Sequence, residues 1–278
     1  MRSMISDTPD PGFISRLEQH LRRLCEANWE DPAGPLHLNR ALSISDLQNA
    51  PFFQNTRQFL LALQEQQGTA TTATGNLNRV FVRHMLDRVA LTPLQRQTIL
   101  EMNKVINEHD LWAVHLSRVV SEIAGLVARR SKMMKLTKQG ALLLAEDRAG
   151  ELYHTLFISY FRKLDLHYAA FSRDVPGIQQ SMATILWRID DSLKDWRPVQ
   201  GLAPLILLPR VLEQLHKAMV SQYDKEEWIL STYVLHPLQD FGLMETRGES
   251  DRPMITEKDS VRITPLWKKF ISLSRFGG

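Results

Sequence analysis

The chain has 278 residues, of which 34 are Lys or Arg and 31 are Asp or Glu, leaving a net charge of +3. An excess this small does not argue for nucleic acid by itself; only its distribution along the chain can. The single cysteine, Cys25, excludes an internal disulfide and fits a reducing compartment, and 44% hydrophobic residues over this length support one large core or two modest ones.

Residues 1–13 hold Asp7, Pro9, Asp10 and Pro11 and no apolar core, so they do not read as a secretory signal. Ile14, Leu17, Leu21 and Leu24 recur at helical spacing and predict a first helix over about 12–27. After a loop with Pro32, Gly34 and Pro35, Ser45-Asp46-Leu47-Gln48 has the form of a capping box and predicts a helix that meets Pro51. Phe59, Leu60 and Leu63 lie on a further helix ending near Gly68, and 69–74 carries little information. Leu77, Val80, Phe81, Met85 and Val89 predict another helix. Thr92-Pro93 is a cap followed by an N1 proline and opens a helix through Ile99, Met102, Val105 and Ile106. The stretch 148–222 is helical and punctuated by Pro176, Pro198, Pro204 and Pro209. Leu205–Leu208, held between Pro204 and Pro209, is far short of the ~20 apolar residues that cross a bilayer, so a cytoplasmic protein without membrane contact is expected.

One arrangement occurs twice. Ile123-Ala124-Gly125-Leu126-Val127 leads through a basic stretch to Lys135-Leu136-Thr137-Lys138-Gln139-Gly140. Asp240-Phe241-Gly242-Leu243-Met244 leads through a longer polar insert to Val261-Arg262-Ile263-Thr264-Pro265-Leu266. Each reads as a helix end, a glycine, a strand, a turn, a second strand and a threonine-capped helix. The strands are expected at about 126–128 with 133–136, and at about 243–247 with 261–263. The reading is a mainly α protein with two winged helix-turn-helix-like units and short two-stranded wings. It divides into an N-terminal helical region (1–91), a first unit (92–147), a helical middle (148–222) and a second unit (223–278). Thr72-Ala73-Thr74-Gly75 is a fainter third echo.

The stretch 56–145 resembles uncharacterised bacterial proteins that occur with plasmid and mobile-element open reading frames. Thr72, Gly75, Asn76 and Leu77, then Leu136, Thr137 and Gly140, carry the resemblance. It implies a fold and a genetic context, and no catalytic residues.

Between Ile123 and Ala145 the chain holds Arg129, Arg130, Lys132, Lys135 and Lys138 and no acid. Cations at a hairpin tip can lie against phosphates and supply salt-dependent affinity. The helix that would read base edges, about 117–124, offers Arg118 but also Glu122. Arg118, Arg129, Arg130, Lys132, Lys135 and Lys138 are therefore the candidate contacts to double-stranded DNA. The competing reading is a basic, solvated hairpin on a unit that binds a protein partner or a second copy. Arg79, Arg83, His84 and Arg88 form a second basic cluster, read as a solvated helix face. The mixed charge of 246–260 argues against phosphate contact at the second hairpin.

A metal reading rests on two Glu-x-x-His pairs, Glu151/His154 and Glu213/His216, with Glu122 and Asp190 or Asp191 as further carboxylates. Polar helix surfaces are the plainer account. No glycine-rich phosphate loop, HExxH, CxxC or Gly-x-Ser-x-Gly occurs. A non-enzymatic binding protein without a cofactor is the expectation.

Overall fold

Proline decides where many of the helices start. Its missing N–H and fixed φ suit the first helical position, and it drives the residue before it out of the α region. The computed structural model describes residues 11–31, 33–170, 174–219, 225–248, 254–274 and 276. It is mainly helical, with small antiparallel sheets. Helix α1 (Pro11–Cys25) and strand β1 (Leu36–Leu38) come first. Helix α2 (Pro51–Glu65) begins at its proline, not at the box expected over 45–48. Ala50 is held out of the helical region at φ −111°, and Asp46 accepts instead from the N–H and hydroxyl of Ser43.

Then come β2 (Thr69–Ala70), α3 (Arg79–Leu86), α4 (Pro93–Met102) and α5 (Trp112–Ile123). Thr92 and Gln95 form the capping box of α4, but that helix stops at Met102, short of Val105 and Ile106. Strands β3 (Val127–Arg130) and β4 (Met133–Leu136) precede α6 (Lys138–Leu143). The middle holds α7 (Ala149–Ile158), α8 (Leu166–Ala170), α9 (Pro176–Gln180) and α10 (Met182–Ser192), and α7 runs into a π-helical turn over Ser159–Lys163. Strand β5 (Arg197–Pro198) is followed by α11 (Ala203–Ile206), α12 (Pro209–Ala218), α13 (Glu226–Leu230) and α14 (His236–Asp240), with a second π-helical turn over Ser231–Leu235. Strands β6 (Met244–Arg247) and β7 (Ser260–Ile263), helix α15 (Pro265–Phe270) and strand β8 (Ile271–Leu273) complete the order.

The expected hairpins form, but neither is two-stranded. The first sheet has the order β2-β4-β3 and the second β5-β7-β6. The third strands, Thr69–Ala70 pairing Met134 and Met133, and Arg197–Pro198 pairing Val261 and Ser260, come from ahead of the hairpins in sequence. Two residues are too short for periodicity to reveal a strand; they become one only by hydrogen bonding to β4 and β7. The first sheet therefore draws on the segment before residue 92. In both halves a helix and a short strand precede several helices and then two strands: α2-β2-α3-α4-α5-β3-β4 and α10-β5-α11-α12-α13-α14-β6-β7.

One aromatic cluster joins the halves. The Phe241 ring lies 5.0 Å from Phe52 of α2 and 5.3 Å from Phe157 of α7, and its carbonyl accepts the Tyr153 hydroxyl at 2.6 Å. Phe270 stands 4.7 Å from Tyr153 and 5.0 Å from Phe157. Tilted and edge-on ring pairs at these separations add to the apolar burial that holds the core. Strands β1 and β8 pair antiparallel and tie the early chain to residues 271–273.

Candidate nucleic-acid interface

The first hairpin turns in two residues. Ser131 and Lys132 both have positive φ, 49° and 62°, the geometry of a type I′ turn that matches the twist of the strands. Val127 pairs Leu136, Ala128 pairs Lys135, Arg129 pairs Met134 and Arg130 pairs Met133. Alternation then puts Val127, Arg129, Met134 and Leu136 on one face, and Ala128, Arg130, Met133 and Lys135 on the other. Val127 and Met134 are buried. Arg129 reaches past this core: a Cβ at Gly75 would lie 1.7 Å from its Nη1, so the guanidinium lies across the Thr72–Gly75 turn.

Arg129, Arg130, Lys132, Lys135 and Lys138 are exposed. None has an acidic partner among the described residues. Lys138 opens α6, whose cap is Thr137: the Thr137 Oγ1 accepts from the Gly140 N–H at 3.0 Å and donates to the Gly125 carbonyl at 2.7 Å. Gly140 is needed here, since a Cβ would stand 2.1 Å from the Leu126 carbonyl oxygen.

Arg118 is elsewhere. It is 8% exposed, its Nε donates to Glu108 Oε1 at 2.6 Å and its Nη1 to Glu122 Oε2 at 2.6 Å. Glu108, 1% exposed, sits in the 3₁₀ turn Glu108–Asp110 and also accepts from His115 Nδ1 at 2.6 Å and from the Leu77 N–H. Burial pushes the Glu108 carboxyl up, but its bonds to His115, Leu77 and Arg118 together outweigh that and hold it below the usual range. The other ring nitrogen of His115 bonds the Tyr168 hydroxyl of α8. Arg118 is thus a structural ion-pair residue facing inward, not a side chain offered to base edges. No residue of α5 is exposed. Sequence periodicity shows that α5 is amphipathic but not that α2, β3, the turns over Glu108–Asp110 and Ser159–Lys163, and Tyr168 together leave it no exposed residue. The Glu108 network was missed because a single acid in a short polar turn carries no pattern.

The second basic cluster is mixed in fate. Arg88 pairs Glu65 at 2.5 Å, Arg79 donates to Asn107 Oδ1 at 3.0 Å, and Arg83 and His84 are exposed. Among the Glu-x-x-His pairs, Glu151 accepts from Arg148 and His154 is buried, while His216 bonds Glu226. Glu122 is paired to Arg118, Asp190 accepts from the Trp267 indole at 2.8 Å, and Asp191 stands 3.8 Å from Lys194. Among the described residues no three His, Cys, Asp or Glu side chains come together as metal ligands, so these pairs and Glu213 do not converge. Glu122, Glu151 and Asp191 pair with cations three or four residues away, and Asp190 is met by the distant Trp267, which local spacing does not reveal. Among the described residues no helix is long and apolar enough to cross a membrane.

Residues 48–149 match the family model described as the Y4jL N-terminal domain. The match runs from the turn ahead of α2 to the first residue of α7, so it takes in the whole first half of the repeat and none of the second. No curated protein and no solved structure matches the chain.

Proposed function

We propose that the two halves are winged helix-turn-helix units and that the first contacts double-stranded DNA through its hairpin, by charge and without reading sequence. The fold reading is supported by the order helix, strand, helices, strand, strand in each half, with the first strand against the third. The observation that carries the DNA reading is the hairpin with the start of α6: five exposed cations, Arg129 and Arg130 on β3, Lys132 in the turn, Lys135 on β4 and Lys138 opening α6, with no acidic partner among the described residues. The sequence-independent character rests on α5, which has no exposed side chain to place in a groove. Phosphate contacts position a protein on a duplex but carry no base information.

The test is the anisotropy of a labelled random duplex, titrated with the protein from low to near-physiological salt. Four or five phosphate contacts give a log–log salt slope of about −4. Reversing two charges, Arg129→Glu with Arg130→Glu, is expected to flatten the slope by about 2 and to weaken unrelated duplexes alike. Absence of binding at low salt would overturn the reading.

A second reading has its own observation. Helix α4 has no buried residue, and Leu94, Leu100 and Met102 are exposed on it, Met102 by 77%. A protein partner seated there would leave DNA affinity near zero, and Leu94→Glu with Leu100→Glu would abolish its capture.

A further inference from the structure

We infer that the second hairpin carries a second phosphate-contact site, formed by Arg247 and Arg262 against Trp196. This rests on the reading of the first hairpin as a nucleic-acid contact and extends it to the other half of the chain. The starting point is register. Leu136 and Ile263 are the last residues of β4 and β7, and each precedes the threonine before a helix. Counting back from them, Lys135 corresponds to Arg262, and Ala128, which pairs Lys135, corresponds to Glu245, which pairs Arg262. Arg130 and Arg247 are likewise both the last residues of their strands. The two hairpins therefore place cations at the same two positions of the same face.

What differs is the residue beneath them. The residue before the first strand is Gly68 in one half and Trp196 in the other. Lys135 lies over Gly68, since a Cβ there would meet its Cγ at 2.7 Å. Arg262 and Arg247 lie over the Trp196 ring, 4.5 and 4.7 Å from its centroid. A guanidinium stacked on an indole keeps its N–H donors free around its edge and is already fixed in plane, so it holds an oxyanion with little further ordering. Arg247 is exposed and has no acidic partner among the described residues. Among the described residues Arg262 bonds only Glu245, through its Nε at 2.5 Å, which leaves its terminal nitrogens to a ligand. Asp259, the nearby buried acid, is engaged by the N–H and hydroxyl of Thr256. Of the described acids between the two strands, Glu257 bonds Lys225 and Asp259 bonds Thr256, while Arg247 and Arg262 share the outer face. The ligand this face fits is a phosphodiester backbone, the same chemistry as at the first hairpin.

Glu245 makes the site testable. It competes with a phosphate for Arg262, so Glu245→Gln is expected to tighten duplex binding several-fold, whereas a purely structural Glu245–Arg262 pair predicts no gain. Arg247→Ala, at an exposed position, is expected to weaken binding several-fold and to flatten the salt slope by about 1. Both are measured on the full chain with the same labelled random duplex, beside Arg129→Glu/Arg130→Glu, with the thermal midpoint as the control for folding. Absence of either effect in a folded variant, while the first-hairpin variant still loses binding, overturns the second site and leaves the first intact. Absence of binding by the unaltered protein overturns both.

Discussion

Thr137 and Thr264 make the same hydrogen bond in the two halves of the chain. Each donates its hydroxyl at 2.7 Å to the carbonyl of the positive-φ glycine that ends the helix before the hairpin, Gly125 in one case and Gly242 in the other. Each also gives its N–H to the carbonyl of the next residue, Leu126 or Leu243, at 3.0 Å. The bond closes the base of the hairpin and sets where the following helix leaves. The two differ in one respect: Thr137 caps α6 by accepting from Gly140, whereas Thr264 makes no side-chain cap. Thr264→Val is expected to cost about 1 kcal/mol, the usual net worth of one hydrogen bond. Thr137→Val is expected to cost about 1 kcal/mol more, for the lost cap. Urea unfolding of both variants compares them, and equal losses would count against a contribution from the cap.

Glu108 neutralises Arg118 inside the first unit. Glu108→Gln leaves a buried guanidinium with Glu122 alone, and removing one partner of a buried pair typically costs about 3–5 kcal/mol. Replacing both, Glu108→Gln with Arg118→Met, is expected to recover part of that loss. Denaturant midpoints of the single and double variants decide it; an additive double variant would show that the two residues act independently.

The hairpin turn sacrifices stability for charge. Left-handed backbone costs roughly 1–2 kcal/mol at a non-glycine residue, less for asparagine, and Asn-Gly is the favoured pair for this turn. Ser131→Asn with Lys132→Gly is therefore expected to raise stability by about 1 kcal/mol. It also removes one exposed cation and should flatten the duplex salt slope by about 1. A variant that is more stable and binds as tightly as the parent would remove Lys132 from the interface.

His154 gives the fold a pH dependence. Burial, then the positive charges of Arg40 and His37, lower its pKa from 6.5 to about 4, so it stays neutral in the folded chain across a range where the unfolded chain takes up a proton. The unfolded state then binds more protons below pH 6.5, and stability falls as the pH drops from about 6.5 to about 4. The loss attributable to this residue reaches about 3 kcal/mol at the acid end. His154→Gln is expected to flatten that part of the stability–pH curve, and an unchanged slope would assign the effect to other groups.

The local signals were legible in the sequence. Leu136-Thr137-x-x-Gly140 marks a hydroxyl cap that is set within three residues, Thr137 to Gly140. The cation-rich run 129–138 reads directly as a surface, because five like charges without acids resist burial. The same holds for Thr92-Pro93, whose capping box is satisfied within three residues. Tertiary structure alone decided the rest. Thr69–Ala70 and Arg197–Pro198 are strands because β4 and β7 offer them hydrogen bonds; Pro198 biases Arg197 to extended backbone, but a two-residue segment does not show which strand it will pair. Arg118 faces a buried Glu108 ten residues earlier and not solvent, which depends on the turn over Glu108–Asp110 folding back onto α5. Arg247 and Arg262 meet at Trp196 across three strands that the chain visits out of order. Caps and turns are short-range and written in neighbouring residues, whereas burial of a charge or the partner of an arginine depends on which distant surface is laid against it.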